Sequence, residues 1–448
     1  MKKKYLILPT LLGLISFSSC TINFNTSNSG NNEYSNTFKP TNEVVLLKEL
    51  PNFSKPTQTE LKEVGFTNFI DHFNHFSSSI TEDYFNTYNG ERGRNVSISP
   101  LSIYFAIAQA ASCAANNTQT ELFNSLEMSK DEVETYSSVL YRSCKEKYEL
   151  DGQLVGMQDI NNSLWFDQTV ELKEEGLNRL VNSYFCEPYS ADFFNHPVEV
   201  SKKFNQYLDD KTRGLIKPDF NFDNSTRLVI ANTLYMKDIW NEFGYGLSKN
   251  YKATFANYDG STKVDTLMVG KYEQGLPYED ETFTSFYAET TNGFKLRFIV
   301  PKDNFTVDEI FTKENIFKAH NASYVKEDVE TNTIYLTRPI FPEFEVGCDQ
   351  ELIPLFKERG VHDFFYNSDF SNITDERLYC SNIKHISKLK VLEKGIEGAA
   401  VTVIVKATSS YPGDYTFVYK DYVVDKAFGF ELSNPNDIPL FTGILSYI

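Results

Sequence analysis

The chain carries few side chains of the kind that perform catalysis, and their spacing narrows the chemistry further. Its six histidines are His72, His75, His196, His320, His362 and His385. His72 and His75 stand one helical turn apart, which presents two imidazoles to one metal ion when a carboxylate or thiolate completes the set. No such partner follows at matching spacing, so a solvated helix face is the expectation. Beyond Cys20, the cysteines Cys113, Cys144, Cys186, Cys348 and Cys380 form no C-x-x-C pair. Neither a zinc site nor a disulfide framework is indicated, and buried small hydrophobes are expected for most of them. A Cys/His dyad stays open, but no cysteine lies in an electropositive sequence context that would stabilise a thiolate. There is no G-x-S-x-G elbow, no phosphate-binding loop, no H-E-x-x-H and no dinucleotide fingerprint. No catalytic residue, metal or cofactor is assigned, and an enzyme is not expected.

A different chemistry resides in Glu393-Lys394-Gly395-Ile396-Glu397-Gly398-Ala399-Ala400-Val401. A charged, glycine-jointed turn leads there into small residues and then into Thr402-Val403-Ile404-Val405. With a period of two, Ile396, Gly398, Ala400, Thr402 and Ile404 share one face of an extended strand, while Glu397, Ala399, Val401 and Val403 share the other. The polar, turn-rich stretch Lys406-Ala407-Thr408-Ser409-Ser410-Tyr411-Pro412-Gly413-Asp414 follows and belongs on a surface. A strand-capable segment tied to an exposed loop is built to move.

The elements around this segment are those of a large globular body. The 448 residues are 41% hydrophobic and 15% aromatic, enough for a substantial core, and the net charge of −18 argues against a nucleic-acid partner. Lys2-Lys3-Lys4, an apolar run from Tyr5 to Phe17 and then Ser18-Ser19-Cys20 read as an export signal too short to span a bilayer. Residues 21–61, rich in Asn, Ser and Thr, read as a flexible tether. Helical spacing of Phe69, Ile70, Phe73, Phe76, Ile80 and Tyr84 predicts an amphipathic first helix. Further helices are predicted over Ser102–Ala115, Val198–Lys211 and Gln350–Glu358. Strands are predicted at Asn95–Ser99, Ser163–Phe166, Leu228–Tyr235, Leu296–Val300, Thr333–Leu336 and Phe428–Leu432. Helices crowd the first half and strands the second, as in an α+β fold with a large mixed sheet.

Several segments, in order, resemble the serpin family of protease inhibitors, and the resemblance runs from about residue 62 to Ile448. Asn95-Val96-Ser97-Ile98-Ser99-Pro100-Leu101-Ser102-Ile103 is similar to the family's N-I-F-F-S-P-x-S-I block. Asn162-Ser163-Leu164-Trp165 resembles N-A-L-F, and Thr212-Arg213-Gly214-Leu215-Ile216 resembles T-x-G-K-I. Asn232-Thr233-Leu234-Tyr235-Met236-Lys237-Asp238-Ile239-Trp240 resembles N-A-I-Y-F-K-G-x-W. His385 precedes Gly395 by the family interval, and Phe428-Gly429-Phe430 and Leu440-Phe441-Thr442-Gly443 resemble P-F-x-F and L-F-x-G. Cys20, behind small residues, resembles the lipidated cysteine of a bacterial lipoprotein box, with Phe17 in place of the usual aliphatic residue. The alternative is an ordinary cleaved signal peptide.

The resemblance implies a serpin domain over residues 62–448: a large mixed central sheet, further sheets, about eight or nine helices and an exposed reactive-centre loop. It implies a monomeric suicide substrate of serine proteases, with Glu393, Gly395, Ile396, Gly398, Ala399, Ala400, Val401 and Thr402 as the hinge that enters the sheet after cleavage. Ser99, Ser102, Asn232 and His385 match the polar latch of that sheet, and Trp240 matches the aromatic where the loop enters. The family spacing from Glu393 places the attacked bond at Ser409-Ser410, with Thr408 and Lys406 as alternatives. A small residue there suits an elastase-like or subtilisin-like protease, whereas Lys406 suits a trypsin-like one. Departures are Ile396, where Thr or Ser is common; Ile340, where Lys often pairs with Glu393; Cys113 for Gly; and Ala427 for Pro. A non-inhibitory binding or surface protein on the same fold is the alternative. The expected location is outside the cytoplasm, anchored to a membrane through Cys20 or else secreted.

Overall fold

A computed structural model describes residues 43–150, 152–240, 246–324, 327–328, 332–380, 383–397 and 416–448. Among the elements that build the site, the helices are α1 (Val64–Thr87), α2 (Pro100–Cys113), α3 (Pro197–Lys211) and α4 (Ile353–Glu358). The strands are β1 (Val44–Leu46), β2 (Val96–Ile98), β3 (Gln153–Asp167), β4 (Cys186–Ala191), β5 (Leu228–Ile239), β6 (Ser248–Ala256), β7 (Thr262–Val269), β8 (Phe283–Glu289), β9 (Lys295–Pro301), β10 (Thr333–Phe341), β11 (Phe344–Glu351), β12 (Lys384–Leu392), β13 (Gly395–Ile396), β14 (Thr416–Val423), β15 (Phe428–Ser433) and β16 (Pro439–Leu445).

A 14-stranded mixed sheet runs in the order β1-β4-β3-β5-β13-β12-β11-β2-β16-β15-β9-β8, with Tyr278–Glu279 at the far edge and Lys145–Leu150 paired to β3. A second sheet of six strands carries Glu327–Asp328, β10, β7 and β6 in order, with β14 and Glu273–Gln274 also on β10. This is the α+β architecture expected from the distribution of helices and strands. There are eleven α-helices among the described residues rather than eight or nine. Three of them, Gln58–Leu61, Val307–Ile310 and Asp363–Tyr366, are four residues long, too short to leave a periodic signature.

Local chemistry explains the elements that matter. In α1, Phe66, Phe69, Phe73, Phe76, Ile80 and Tyr84 form the buried stripe, while Ile70 is only partly buried at its border. Ser99 caps α2 by accepting from the Ser102 N–H, and Pro100 opens the helix where a missing N–H costs nothing. Nearly every residue of α2 is buried, as its small, apolar composition requires. Gln350 and Glu351 continue β11 instead of starting a helix; α4 begins after Leu352, with Pro354 in its first turn. Residues 43–61, expected to belong to the tether, join the body, since β1 pairs with β4 over Val44↔Ala191 to Leu46↔Tyr189.

Across the front of the large sheet lies α3. Its contact with the sheet is a separate apolar cluster built on Trp165, Tyr189, Phe204, Tyr207 and Ala231. The Trp165 ring meets Phe204 and Tyr207 edge-on at 5.2 and 5.5 Å between centroids, and its Nε1 donates to Ser163 Oγ at 3.0 Å. The buried Lys211 at the end of α3 pairs with Glu187 of β4 at 3.2 Å. Emptying a fully buried aromatic site removes both transfer energy and packing. Trp165→Ala is therefore expected to lower the unfolding free energy by about 3–5 kcal/mol, read from urea unfolding of the intact chain.

Candidate functional site

The centre of the large sheet is incomplete. β12 pairs along its length with β11, from Phe344↔Val391 to Glu351↔Lys384, and β5 pairs with β3 from Met157↔Lys237 to Phe166↔Leu228. On their facing edges only β13 joins them: Gly395 pairs with Ile239 and Leu392, and Ile396 with Asp238 and Val391. The Glu397 N–H adds one bond to Lys390 O at 2.8 Å. Below that point no ladder pair links β5 to β12 among the described residues. A cavity of about 450 Å³ lies in the gap, walled by Leu228–Thr233 on one side and Ile383–Ile386 on the other, with Ser102, Phe204 and Phe356 also lining it.

The turn above the slot is pinned from several directions. Trp240, buried and edge-on to Phe341 at 5.5 Å, donates from Nε1 to Leu392 O at 2.6 Å. The Leu247 N–H donates to Glu393 O at 2.7 Å. Glu343 accepts the Glu393 N–H at 2.6 Å and pairs with Lys249 at 2.5 Å through its other oxygen. Burial would raise the Glu343 carboxyl, but Lys249 and the Glu393 N–H together hold it below its ordinary value. Ile340 is buried, and the carboxylate of Glu393 makes no ion pair among the described residues. Glu343 and Lys249 thus fasten this turn through its backbone, and no motif in the sequence singles them out.

Gly395 is required by close approach, because a Cβ there would sit 2.1 Å from Asp238 O. Ile396 is fully buried, on the inward face expected from its parity. Its β-branch is accommodated with the residue already seated between β5 and β12. Glu397 has φ +66, a left-handed conformation uncommon for a residue with a side chain. Its carboxylate accepts from Tyr235 OH at 3.3 Å, and Arg213 stands 5.6 Å from the Tyr235 ring.

Asp238, standing where the family block has Gly, is a buried carboxylate one strand away from Ile396. It accepts from Ile239 N, Thr290 Oγ1, Asn292 N and Asn292 Nδ2 at 2.5–3.1 Å. Burial still outweighs these donors and raises its pKa to about 6.

The four expected latch residues fall into two groups. The Ser99 N–H donates to His385 Nε2 at 3.1 Å, and Ser99 Oγ accepts the Ser102 N–H at 3.2 Å. Ser387 Oγ, one inward position along β12, donates to Ser97 O. Asn232 is on the other side of the slot and does not reach His385. Its amide donates to Asn162 Oδ1 at 2.6 Å, and Asn162 in turn donates to Tyr184 O at 2.7 Å. Asn232 Oδ1 is buried without a hydrogen-bond partner among the described residues. The family block containing Asn162 was visible in the sequence, but its pairing with Asn232 was not. The hinge residues Gly398, Ala399, Ala400, Val401 and Thr402 lie outside the described residues, as do Lys406, Thr408, Ser409, Ser410 and Cys20.

The residues first considered for catalysis are occupied elsewhere. His72 bonds Glu132 at 2.8 Å, while His75 stacks on Phe317 with centroids 3.7 Å apart. Among the described residues no group of His, Cys, Asp and Glu is arranged to hold a metal. Cys113, Cys144, Cys186 and Cys348 are buried and free, and burial pushes the thiols of Cys113 and Cys348 up to about 12. Thiols so raised are poor nucleophiles at neutral pH.

The family model described as Serpin (serine protease inhibitor) matches residues 74–447. Serpin-ZXA of Oryza sativa subsp. japonica is 26% identical over 370 residues, spanning 79% of this chain and 90% of that protein. An uncharacterized serpin-like protein of Methanosarcina acetivorans is also 26% identical over 370 residues, spanning 77% and 81% of the two chains. The crystal structure of the thermophilic serpin Tengpin in the native state superposes with a TM-score of 0.71 at 21% identity, over 91% of this chain and all of that one. Its latent state superposes with a TM-score of 0.65 at 19% identity, over 88% of this chain and 100% of that one.

His385 sets a pH dependence. Burial lowers its pKa to about 4, and protonation would destroy the Nε2 acceptor that the Ser99 N–H uses. A histidine in the unfolded chain titrates near 6.5. The folded form therefore binds fewer protons between those values, and stability is lost as pH falls from about 6.5 toward 4, by about 3 kcal/mol. In His385→Gln the change in unfolding free energy between pH 7 and pH 4 is expected to shrink by about that amount. Urea titrations of both proteins at the two pH values measure it, and identical pH dependences would contradict the assignment.

Proposed function

The chain belongs to the serpin family, and from that premise we propose that it inhibits serine proteases by inserting its cleaved loop into the slot between β5 and β12. The observation that carries this reading is the hinge itself: Gly395 and Ile396 occupy the slot as a two-residue strand, and below them no ladder pair joins the two edges among the described residues. Continuing the same register, Gly398 would fall opposite Met236 and Leu389, Ala400 opposite Leu234 and Ser387, and Thr402 opposite Asn232 and His385. The inward residues of β12 are His385, Ser387, Leu389 and Val391, so Gly398, Ala400 and Thr402 would face the core, following Ile396. Small side chains at the first two positions and a hydroxyl between Asn232 and His385 suit that path.

The chemistry belongs to the protease. Its serine attacks the carbonyl carbon of Ser409, the bond to Ser410 breaks, and the new amine leaves with the proton delivered by the protease. The acyl-enzyme remains on the N-terminal side of the cut, attached to the segment that enters the sheet. At about 1 kcal/mol net per backbone hydrogen bond, completing two ladders supplies on the order of 10 kcal/mol, similar to the stability of a whole domain. Insertion drags the protease along and distorts it before water can release the acyl group. With Ser409 or Thr408 at the cut, an elastase-like or subtilisin-like protease is the fitting target; with Lys406, a trypsin-like one. Export, and attachment to a membrane through lipidated Cys20 with a monomeric body held at the cell envelope, complete the proposal.

Incubation with elastase-, subtilisin- and trypsin-like proteases is expected to give, with at least one of them, a complex that survives SDS. The cut chain should resist heat far better than the intact one. Loop cleavage by every protease with no complex and unchanged heat resistance would identify a non-inhibitory member of the family. Gly398→Arg places a long charged side chain on the inward face and is expected to turn inhibitor into substrate. Retained stoichiometric inhibition by that variant would sink the hinge assignment.

A further inference from the structure

We propose that the lower end of the slot binds a fatty acid, its alkyl chain lying between α3 and the outer face of the large sheet and its carboxylate at Arg227 and Lys384; the effect on inhibition rests on the reading above, the binding does not. β5 and β12 run together toward Ile239 and Leu392, which both pair with Gly395. Their first residues, Leu228 and Lys384, therefore mark the end farthest from the hinge. The cavity of about 450 Å³ lies at that end, within the roughly 300–1,000 Å³ usual for small-molecule sites. Alternation along the strands divides its walls between the two faces of the sheet. Val229, Ala231 and Ile386 stand on the outer face, and Phe204 and Leu208 of α3, with Ile216 and Phe220 beyond it, complete that side. Val229, Ile386, Ile216 and Phe220 are only partly buried. An alkyl chain laid along them would remove that apolar carbon from water.

Charge at this end is largely of one sign. Arg227 stands immediately before β5, Lys384 opens β12, and Arg377 lines the same cavity. Among the described residues Asp223 is the one carboxylate in the lining, and it already accepts from the Ser225 N–H and hydroxyl at 2.8 and 2.6 Å. Arg227 donates to two carbonyls, Asn224 O and Thr226 O, both at 3.0 Å, and has no acidic partner among the described residues. Lys384 pairs with Asp349 at 2.8 Å and lies 5.4 Å from the Phe220 ring, which joins the basic mouth to the apolar wall. On a chain of net charge −18, this combination selects an anionic head on an apolar tail, and a guanidinium grips a carboxylate in two-pronged fashion. The inserting loop answers only half of it. Continuing the register of β13, Val403 and Val405 would fall opposite Ala231 and Val229 and cover the outer face, but the next residue, Lys406, would bring a like charge beside Arg227. A bound fatty acid and the lower half of the inserted strand exclude each other. With the ligand in place Gly398 and Ala400 would still enter above the cavity, at Met236 and Leu234, and the loop would halt there, so the protease would be released and not trapped.

The test titrates laurate, kept below its micellar concentration, into the intact chain by calorimetry, with dodecyltrimethylammonium as a probe of the same chain length and opposite charge. One laurate is expected to bind per chain, saturably and at least tenfold more tightly than the ammonium. The double variant Arg227→Glu with Lys384→Glu should reverse that order of preference, which a loss of folding would not do. The inference is overturned if laurate does not saturate, if the two probes bind within twofold of each other, or if the double variant keeps the natural preference. A loop-cut chain whose heat resistance has risen should bind laurate at least tenfold more weakly than the intact chain, and undiminished binding would place the ligand elsewhere and overturn the inference. Saturating laurate should also raise the share of chain that a complex-forming protease cleaves without trapping at least twofold. If cutting the loop leaves heat resistance unchanged, the inhibitory reading falls, while laurate binding to the intact chain and its reversal in the double variant still decide the site.

Discussion

Two neighbouring strands of one sheet, β5 and β12, have facing edges that do not pair with each other below Glu397. Backbone N–H and C=O groups are obligatory hydrogen-bonding groups, and leaving them unmet inside a protein is expensive. The large sheet is continuous on both sides of this slot, so the need is confined to one strand's width. Everything else at the site can be read as managing that need. Gly395 and Ile396 fill the top, the turn at Glu393 and Lys394 is pinned by Trp240, Leu247 and Glu343, and below it no strand pairs with the two facing edges among the described residues.

Polar side chains beside the slot divide between its walls. Ser99, Ser102 and His385 form a bonded set on the β12 side, whereas Asn232 is held on the β5 side by Asn162. With no bond from Asn232 to His385, separating the walls breaks no side-chain bond between those two groups. Asn232, whose Oδ1 is buried without a partner among the described residues, is the residue opposite Thr402 if the register of β13 is continued. A hydroxyl delivered there would satisfy an atom that now has no partner, adding a local polar reward to the backbone ladders.

Much of this was legible in the sequence because periodicity survives without an alignment. The period-two reading put Ile396 on the inward face, where it is fully buried, and the blocks around Ser99, Asn232 and Trp240 fall on β2, α2 and β5 at the slot. What stayed hidden was set by contacts distant in sequence. Glu343, in the turn between β10 and β11, and Lys249, on β6, are far apart in sequence and come together beside Glu393. Asn162 and Asn232 meet because β3 and β5 lie in register. Asp238 stands in place of the family glycine, and its pairing with Ile396 and its donors from Thr290 and Asn292 depend on strands distant in sequence. Short helical turns and the β11–α4 boundary were missed because a few residues carry too little pattern to distinguish one state from another.

The central claim is that a cut loop completes the sheet between β5 and β12. Amide hydrogen exchange of the backbone over 228–237 and 384–390, before and after a single cut in the loop, addresses it most directly. Insertion requires the exchange of both segments to slow strongly and together after cleavage, since each N–H pointing into the slot acquires a strand partner. If both segments exchange at the same rates in cut and intact protein, the slot has stayed empty and the account is wrong.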